Sequence, residues 1–311
     1  MPVEFLTSEQ EKCYGRYGGE PSVEQLEKYF HLDDSDFQLI RGRRSNHNRL
    51  GLALQLCTVR FLGTFLNDPT DVPIVIINYL ATQLAISDVA SLALYRTSET
   101  RWEHTALIRQ QYGYRDFNSQ PEHWRLVRWL YQRATLSAES PSLLFDLATA
   151  RLVQRKILLP GVSILVRLVA SVRERAANRL FQVLSQLPNP AQRRQLEELL
   201  VVKDGERYSP VDRLRHPPNR ISAPALVAAL NRLVEVRLLG IGIIDVTRVP
   251  PNRLKVLARS ASAARSQAIS RMPESRRIAT MLAFVYLLEF TATDDALDLF
   301  DWLIGSILIK S

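Results

Sequence analysis

Asn48-Arg49-Leu50-Gly51-Leu52-Ala53-Leu54-Gln55-Leu56-Cys57-Thr58-Val59-Arg60-Phe61-Leu62 is the most informative stretch of this 311-residue chain. Leu50, Leu54, Cys57 and Phe61, with Phe65 beyond, recur every three or four residues, which is the spacing of one helix face. Leu52, Ala53, Leu56 and Leu62 widen that stripe until the helix is apolar almost all round. A helix of that kind is buried, so it is expected at the centre of the first domain. Asn67-Asp68-Pro69-Thr70-Asp71 is a run of turn residues that stops it.

Outward from this stretch the same helical spacing continues. A short helix is expected over Ser22–Phe30, another from Pro73, and a third from the capping residues Thr97-Ser98-Glu99 to Gly113. Pro121 opens a further helix with Trp124, Val127, Leu130 and Tyr131 on its apolar side. Ser140-Pro141 opens one to about Leu159. Val162, Leu165, Val169, Val172, Ala176, Leu180, Val183 and Leu187 mark a long amphipathic helix ended by Pro188 and Pro190. Residues 203–219 read as a polar linker, and Ser222-Ala223-Pro224 caps a helix to about Leu238. Ile243-Ile244-Asp245-Val246 is a short strand candidate without a partner, and two helices, about 274–290 and 293–309, close the sequence. The fold class is therefore all-α. The length favours roughly two to four domains. The division expected is 1–68, 69–136 (helix-turn-helix-like), 137–205, and a scaffold or dimerisation segment 206–311.

Composition narrows the function. A hydrophobic fraction of 46% with 23% charged residues describes a well-cored globular chain and excludes disorder and collagen. Two cysteines exclude a disulfide scaffold, and Cys57 within an apolar helix is expected to be a buried thiol. Met1-Pro2-Val3-Glu4 lacks the basic start of a secretory signal, and the uncharged run Val72–Ser87 is too short and polar to span a bilayer, so a cytoplasmic location is expected. The formal charge is +8, and 34 of the 40 basic residues are arginine. Arginine's planar fork suits phosphate and guanine. The excess sits in the middle of the chain: residues 1–40 are net −6, residues 201–290 net +8, and the last 21 net −3. That distribution points to a polyanionic partner.

Enzyme chemistry finds no support. There is no phosphate-binding glycine loop, Gly240-Ile241-Gly242 lacks the third glycine of a dinucleotide fingerprint, and no nucleophile elbow occurs. His31, His47, His104, His123 and His216 are scattered without metal-ligand spacing. Asp294, Asp298 and Asp301 share a helix face and read as a solvated acidic surface. No cofactor, metal or catalytic residue is expected.

Three arginine-rich groups carry the binding chemistry. Arg41, Arg43, Arg44, Asn46, His47, Asn48 and Arg49 form a basic, amide-rich loop that opens the buried helix. This pairs side-chain donors with unsatisfied backbone amides, a grip suited to phosphate. In the second, Arg101, Thr105, Arg109 and Tyr112 lie on one helix face, with Arg96, His104 and Arg115 nearby. If Trp102 and Ala106 pack inward, that face has the layout of a recognition helix in a major groove. The third is Arg167, Ser171, Arg175 and Arg179 along the long helix, with Arg173 beside them.

Blocks spread over the whole chain add a resemblance. They are Met1-Pro2-Val3-Glu4-Phe5-Leu6-Thr7, Gly19-Glu20-Pro21-Ser22 and Tyr29-Phe30-His31-Leu32-Asp33-Asp34, then His47 through Gly63-Thr64. Thr100-Arg101-Trp102-Glu103-His104 with Ile108-Arg109, and Gly113-Tyr114-Arg115-Asp116-Phe117, follow. Leu158-Leu159-Pro160-Gly161, Pro250-Pro251-Asn252-Arg253-Leu254, Arg276-Arg277-Ile278-Ala279-Thr280 and Asp294 through Phe300 complete the series. In that order they resemble the N-terminal region of the Tn-three family of bacterial replicative transposases. The resemblance implies helical modules that recognise the terminal inverted repeats of a transposon, followed by scaffold and dimerisation helices. It also implies a ribonuclease-H-like domain with an Asp-Asp-Glu triad and magnesium further along, and none of the carboxylates here matches that triad. By this likeness the chain stops where scaffold helices continue. Arg49, Arg60, Arg101, His104, Arg109 and Arg115 fall on its motifs as expected DNA-region residues. The expected partner is double-stranded DNA of transposon ends. The alternative is a truncated copy that dimerises, or binds full-length transposase, through the helices after about residue 222. Met281–Leu288 and Trp302-Leu303-Ile304 motivate that alternative as surface a longer chain would cover.

Overall fold

The stretch that anchors the sequence reading is a helix, Asn46–Leu62, and its ten consecutive residues Leu50–Val59 are all buried. Covering such a helix on every side takes several elements, and the computed structural model supplies them from both directions along the chain. It describes residues 5–218 and 220–308. Met1–Glu4, Asn219 and Ile309–Ser311, where parts of the expectations above fall, lie outside the described residues.

The described chain is all-helical. In order the helices are α1 (Ser8–Cys13), α2 (Val23–Gln25, continuing as a π-helical turn Leu26–Phe30), α3 (Asp34–Arg41), α4 (Asn46–Leu62), α5 (Ile74–Gln83), α6 (Leu92–Thr97), α7 (Thr100–Tyr112), α8 (Glu122–Leu136) and α9 (Pro141–Gln154). They continue as α10 (Val162–Gln186), α11 (Pro190–Glu198), α12 (Pro210–Leu214), α13 (Ala223–Leu238), α14 (Pro251–Ala263), α15 (Ser266–Ser270) and α16 (Glu274–Leu308). Among the described residues there is no strand, only an isolated bridge between Arg115 and Ile157. The residues group into two compact units, 1–130 with 140–171, and 131–139 with 172–311.

In the first unit α4 is ringed by α3, the π-helical turn, α5, α6 and α7. Phe30, Ile40, Ile76, Leu80, Tyr95 and Ile108 are the main groups packed on it. Each fully buried aliphatic or aromatic side chain contributes about 1.5–3 kcal/mol, so this layer is the unit's main source of stability. Helix starts follow the capping rules: Ser22, Asp33 and Ser140 each accept a bond from a first-turn amide. Gly63 and Gly113 take left-handed conformations that end α4 and α7. Gly51 has a different role. A Cβ there would lie 2.3 Å from the Tyr95 ring, so only glycine lets α6 approach α4 this closely.

In the second unit α16 is the central element, packed against α14, α13 and α11. Ile278, Ala279, Met281, Leu282, Ala283 and Val285 line its core with Leu254, Val236 and Leu196. Arg277 pairs with Glu197 of α11 at 2.7 Å, and Arg232 of α13 bonds both the Leu214 carbonyl and Asp295.

Several expectations are corrected. The two closing helices are a single one, Glu274–Leu308, because the polar step at Thr291–Asp295 contains neither glycine nor proline to break it. Met281–Leu288 is not surface awaiting cover: Met281 to Val285, and Leu288, are buried in the unit's own core. Ile243–Val246 is a turn running into irregular backbone rather than a strand. The 203–219 linker contains α12, whose Val211 and Leu214 are buried. The helix opened by Pro141 ends at Gln154, before Leu159, where Lys156 adopts a positive φ of 56°.

Gly51→Ala should destabilise the first unit by at least the 1–3 kcal/mol typical of overpacking, read as a lower urea midpoint. Gly19→Ala, with open space around its Cβ, should change it by less than about 0.5 kcal/mol.

Candidate nucleic-acid interface

The two basic groups that flank α4 and α7 in sequence meet at the N-termini of these helices. Thr100 Oγ1 donates to Asn48 Oδ1 at 3.0 Å, joining the first turn of α7 to the first turn of α4. Ser45, preceding α4, makes no side-chain cap and the first turn of α4 has no acidic residue, whereas at α7 the Thr100 amide donates to Ser98 Oγ at 3.3 Å and Glu103 stands in the first turn. Around these ends stand Arg43, Arg49 and Arg101, all half-buried, with Arg41, Arg44 and Asn46 exposed. The buried Nε atoms of Arg43 and Arg49 have no hydrogen-bond partner among the described residues. Arg41 lies over the Phe37 ring, and Arg101 lies over the Trp102 ring while donating to the Arg96 carbonyl at 3.0 Å. His47 sits 3.1 Å from Ser45 Oγ. At the start of α4, uncapped amides, the positive end of the helix dipole and the surrounding guanidiniums together favour an anion.

The orientation of α7 differs from the expectation. Trp102 is 63% exposed and Ala106 is exposed, whereas His104 and Ile108 are buried and Arg101, Thr105, Arg109 and Tyr112 are half-buried. The cause is a polar network inside the first unit. Gln55, in the buried run of α4, donates to Tyr95 Oη and to the Arg101 carbonyl, each at 3.0 Å. Thr105 Oγ1 lies 2.9 Å from Gln55 Oε1, and Tyr95 Oη lies 2.8 Å from His104 Nδ1. Tyr95 Oη thus accepts from Gln55 and forms a hydrogen bond with His104 Nδ1 whose direction is set by the imidazole tautomer. Burial, with the charge of Arg43 added, lowers the His104 pKa to about 4. A buried amide costs free energy unless it is bonded, and satisfying Gln55 turns the polar side of α7 inward.

The remaining expected residues fall elsewhere. Arg60 is at the far end of α4, where its Nη2 bonds both oxygens of the wholly buried Asp36 at 2.9 Å; Tyr112 donates to the same carboxylate at 2.5 Å. This pair ties α3, α4 and α7 together, and sequence reading missed Asp36 because an acid in a first helical turn ordinarily faces water. Arg96 pairs with Asp68 at 2.8 Å, Arg109 with Asp116, and Arg115 with Glu122 at 2.8 Å. Arg167, Arg175 and Arg179 are exposed along α10. Cys57 is buried and unoxidised, its thiol pushed up to about 12 by burial. Among the described residues no group of three or more His, Cys, Asp or Glu side chains is placed to hold a metal, and no helix is long and apolar enough to cross a membrane.

A family model described as a domain of unknown function, DUF4158, matches residues 5–172, almost the extent of the first unit. The chain belongs to that family. It is also homologous over nearly its whole length to Tn-three family transposases, as an N-terminal portion of them. It is 47% identical over 309 residues to the transposase for transposon gamma-delta of Escherichia coli strain K12, covering 99% of this chain and 31% of that protein. It is 31% identical over 297 residues to the transposase for transposon Tn501 of Pseudomonas aeruginosa, covering 93% and 29%. It is 28% identical over 312 residues to that for transposon Tn1546 of Enterococcus faecium, covering 99% and 31%. The chain thus spans about a third of the length of these relatives.

The neutral His104 generates a pH dependence. Its folded pKa of about 4 lies below the ordinary 6.5, so between these values the unfolded chain binds more protons. Stability is complete above about pH 6.5 and falls on acidification towards pH 4, by about 2 kcal/mol between pH 7 and pH 5. Urea unfolding at the two pH values should show that loss in the native chain and a much smaller one in His104→Phe. Equal losses would remove the histidine from the account.

Proposed function

We propose that this chain binds duplex DNA at the terminal inverted repeats of a transposon, as the N-terminal part of a transposase, and that its own residues perform no chemistry. The observation that carries the reading is the uncapped N-terminus of α4, joined to the start of α7 through Asn48 and Thr100, with Arg41, Arg43, Arg44, Arg49 and Arg101 around it. Asn46 and Asn48 add amide donors and acceptors at the same place. The homology to transposases supports DNA as the partner, and the geometry supports this place for its phosphates. His104, Thr105 and Arg60 serve this surface indirectly, by fixing α7 and α3 against α4. Arg96 and Arg109 hold exposed ion pairs, which are worth little and which a phosphate can displace. Arg167, Arg175 and Arg179, exposed on α10, are further candidates for phosphate contact.

The test is binding of the chain to a fluorescent duplex bearing a transposon end, and to a scrambled duplex, over a salt series. The logarithm of affinity should fall with log salt at about −0.9 per phosphate neutralised. Arg44→Ala should weaken both duplexes alike. Arg101→Ala should cost about 1–3 kcal/mol on the transposon end and less on the scrambled duplex. A flat salt dependence on both duplexes would exclude the reading.

A second reading, self-association or association with a longer transposase, is favoured by one feature of the second unit. Val227, Leu230, Val234 and Leu238 form an exposed apolar stripe on α13, and Leu297, Phe300 and Trp302 are exposed on α16. Light scattering should then give a mass above 35.5 kDa that returns to the monomer value in Val234→Glu/Leu238→Glu.

A further inference from the structure

Glu122 opens α8, and its side chain is only 1% exposed. Three guanidiniums from three separate parts of the first unit converge on it. Arg115, in the loop after α7, and Arg125, one turn along α8, both bond Oε1, at 2.8 and 2.6 Å. Arg155, at the end of α9, lies 3.9 Å from Oε2. Their own side chains stay open, at 50%, 57% and 44% exposed. The backbone fixes the cluster as well: the Arg115 amide donates to the Lys156 carbonyl at 2.9 Å, and the Leu158 amide donates to the Arg115 carbonyl at 2.8 Å.

The comparison with Asp36 shows what this cluster is not. Asp36 meets one guanidinium, is wholly enclosed, and also accepts from Tyr112, so that pair is neutral and closed. Glu122 meets three, which leaves two positive charges uncompensated within the cluster, and Lys156 beside it is exposed. Burial raises a carboxyl's pKa, yet the bond from Arg125 and the charges of Arg115, Arg125 and Arg155 hold Glu122 below its ordinary value. A stability role needs one counter-charge; two surplus guanidiniums with open heads are the arrangement of an anion clamp.

We propose that Glu122 is a positioning residue that aims Arg115, Arg125 and Arg155 as a clamp for the phosphate backbone of duplex DNA, separate from the site at the N-termini of α4 and α7. The inference rests on the DNA-binding reading above and adds a second grip to it. Such a clamp fixes where the unit sits on the duplex without reading bases, so its loss acts on all sequences equally.

The experiment measures salt-dependent affinity of the full chain and of Arg125→Ala, Arg155→Ala, the double variant and Glu122→Gln. The slope of log affinity against log salt should drop by about one in each single arginine variant and by about two in the double one, on transposon-end and scrambled duplex alike. Glu122→Gln raises the net charge by one, so a charge effect alone would tighten binding, whereas a positioning role predicts weaker binding. The two exposed arginines keep the test decisive should Glu122→Gln fail to fold, which circular dichroism reports. A native chain that binds while the arginine variants keep its slope overturns the clamp alone and leaves the cluster to an acidic protein surface. A native chain without salt-dependent binding overturns both the clamp and the DNA-binding reading.

Discussion

A helix that is apolar on every side cannot rest against a single neighbour, and α4 imposes that constraint on the whole first unit. Leu50 to Val59 leave no residue for solvent, so α3, the π-helical turn, α5, α6 and α7 close round it. Two polar residues inside this run, Gln55 and Thr58, then have to be satisfied within the core. Thr58 bonds the Tyr17 hydroxyl at 2.8 Å, and Gln55 bonds Tyr95, Thr105 and the α7 backbone. The glycine at position 51 makes room for the Tyr95 ring that completes the network. What remains at the surface is the first turn of α4, before the buried run begins. The basic loop and the start of α7 are held there as consequences of the packing below them.

Much of this was legible from the sequence, and the failures share a cause. The buried helix, the ends of α7 and α13, and the all-α class follow from periodicity and caps, which act within a few residues. The facing of α7 does not. Ranked by polarity, Trp102 belongs inside and Thr105 outside; the order is inverted because Thr105 and His104 answer to groups on α4 and α6, Gln55 being fifty residues away. No local pattern encodes that debt. Similarly, Thr291–Asp295 reads as a boundary by its polarity, but a helix continues through polar residues when nothing breaks its backbone. Met281–Leu288 looked like surface because its partners, Val236 and Leu254 among them, come from distant helices.

The basic groups divide the same way. Spacing located Arg41 to Arg49 and Arg101 correctly as neighbours of helix starts, since a helix start is a local feature. Spacing alone cannot bring Asn48 beside Thr100, nor show that Arg60 faces a buried Asp36. It also gave no reason to single out Arg125 and Arg155, which matter only because the fold carries α8 and α9 to one carboxylate.

Arginine content therefore overstates the charge available to a polyanion, and the structure supplies the correction through burial. Asp36 is wholly buried beside the partly buried Arg60, and removing one partner strands a charge at a cost of about 3–5 kcal/mol, so the pair does not yield Arg60 to a phosphate. The Arg96–Asp68 and Arg109–Asp116 pairs are exposed, worth at most about 1 kcal/mol, and exchangeable for a phosphate that releases counterions as it binds. Glu122 is intermediate: its carboxylate is buried, but the three cations round it are not, so the acid is fixed while the guanidinium heads remain open to solvent. A buried acid with surplus exposed base orients charge without cancelling it. For a surface proposed to hold a duplex in one register, orientation of the donors is worth more than their number.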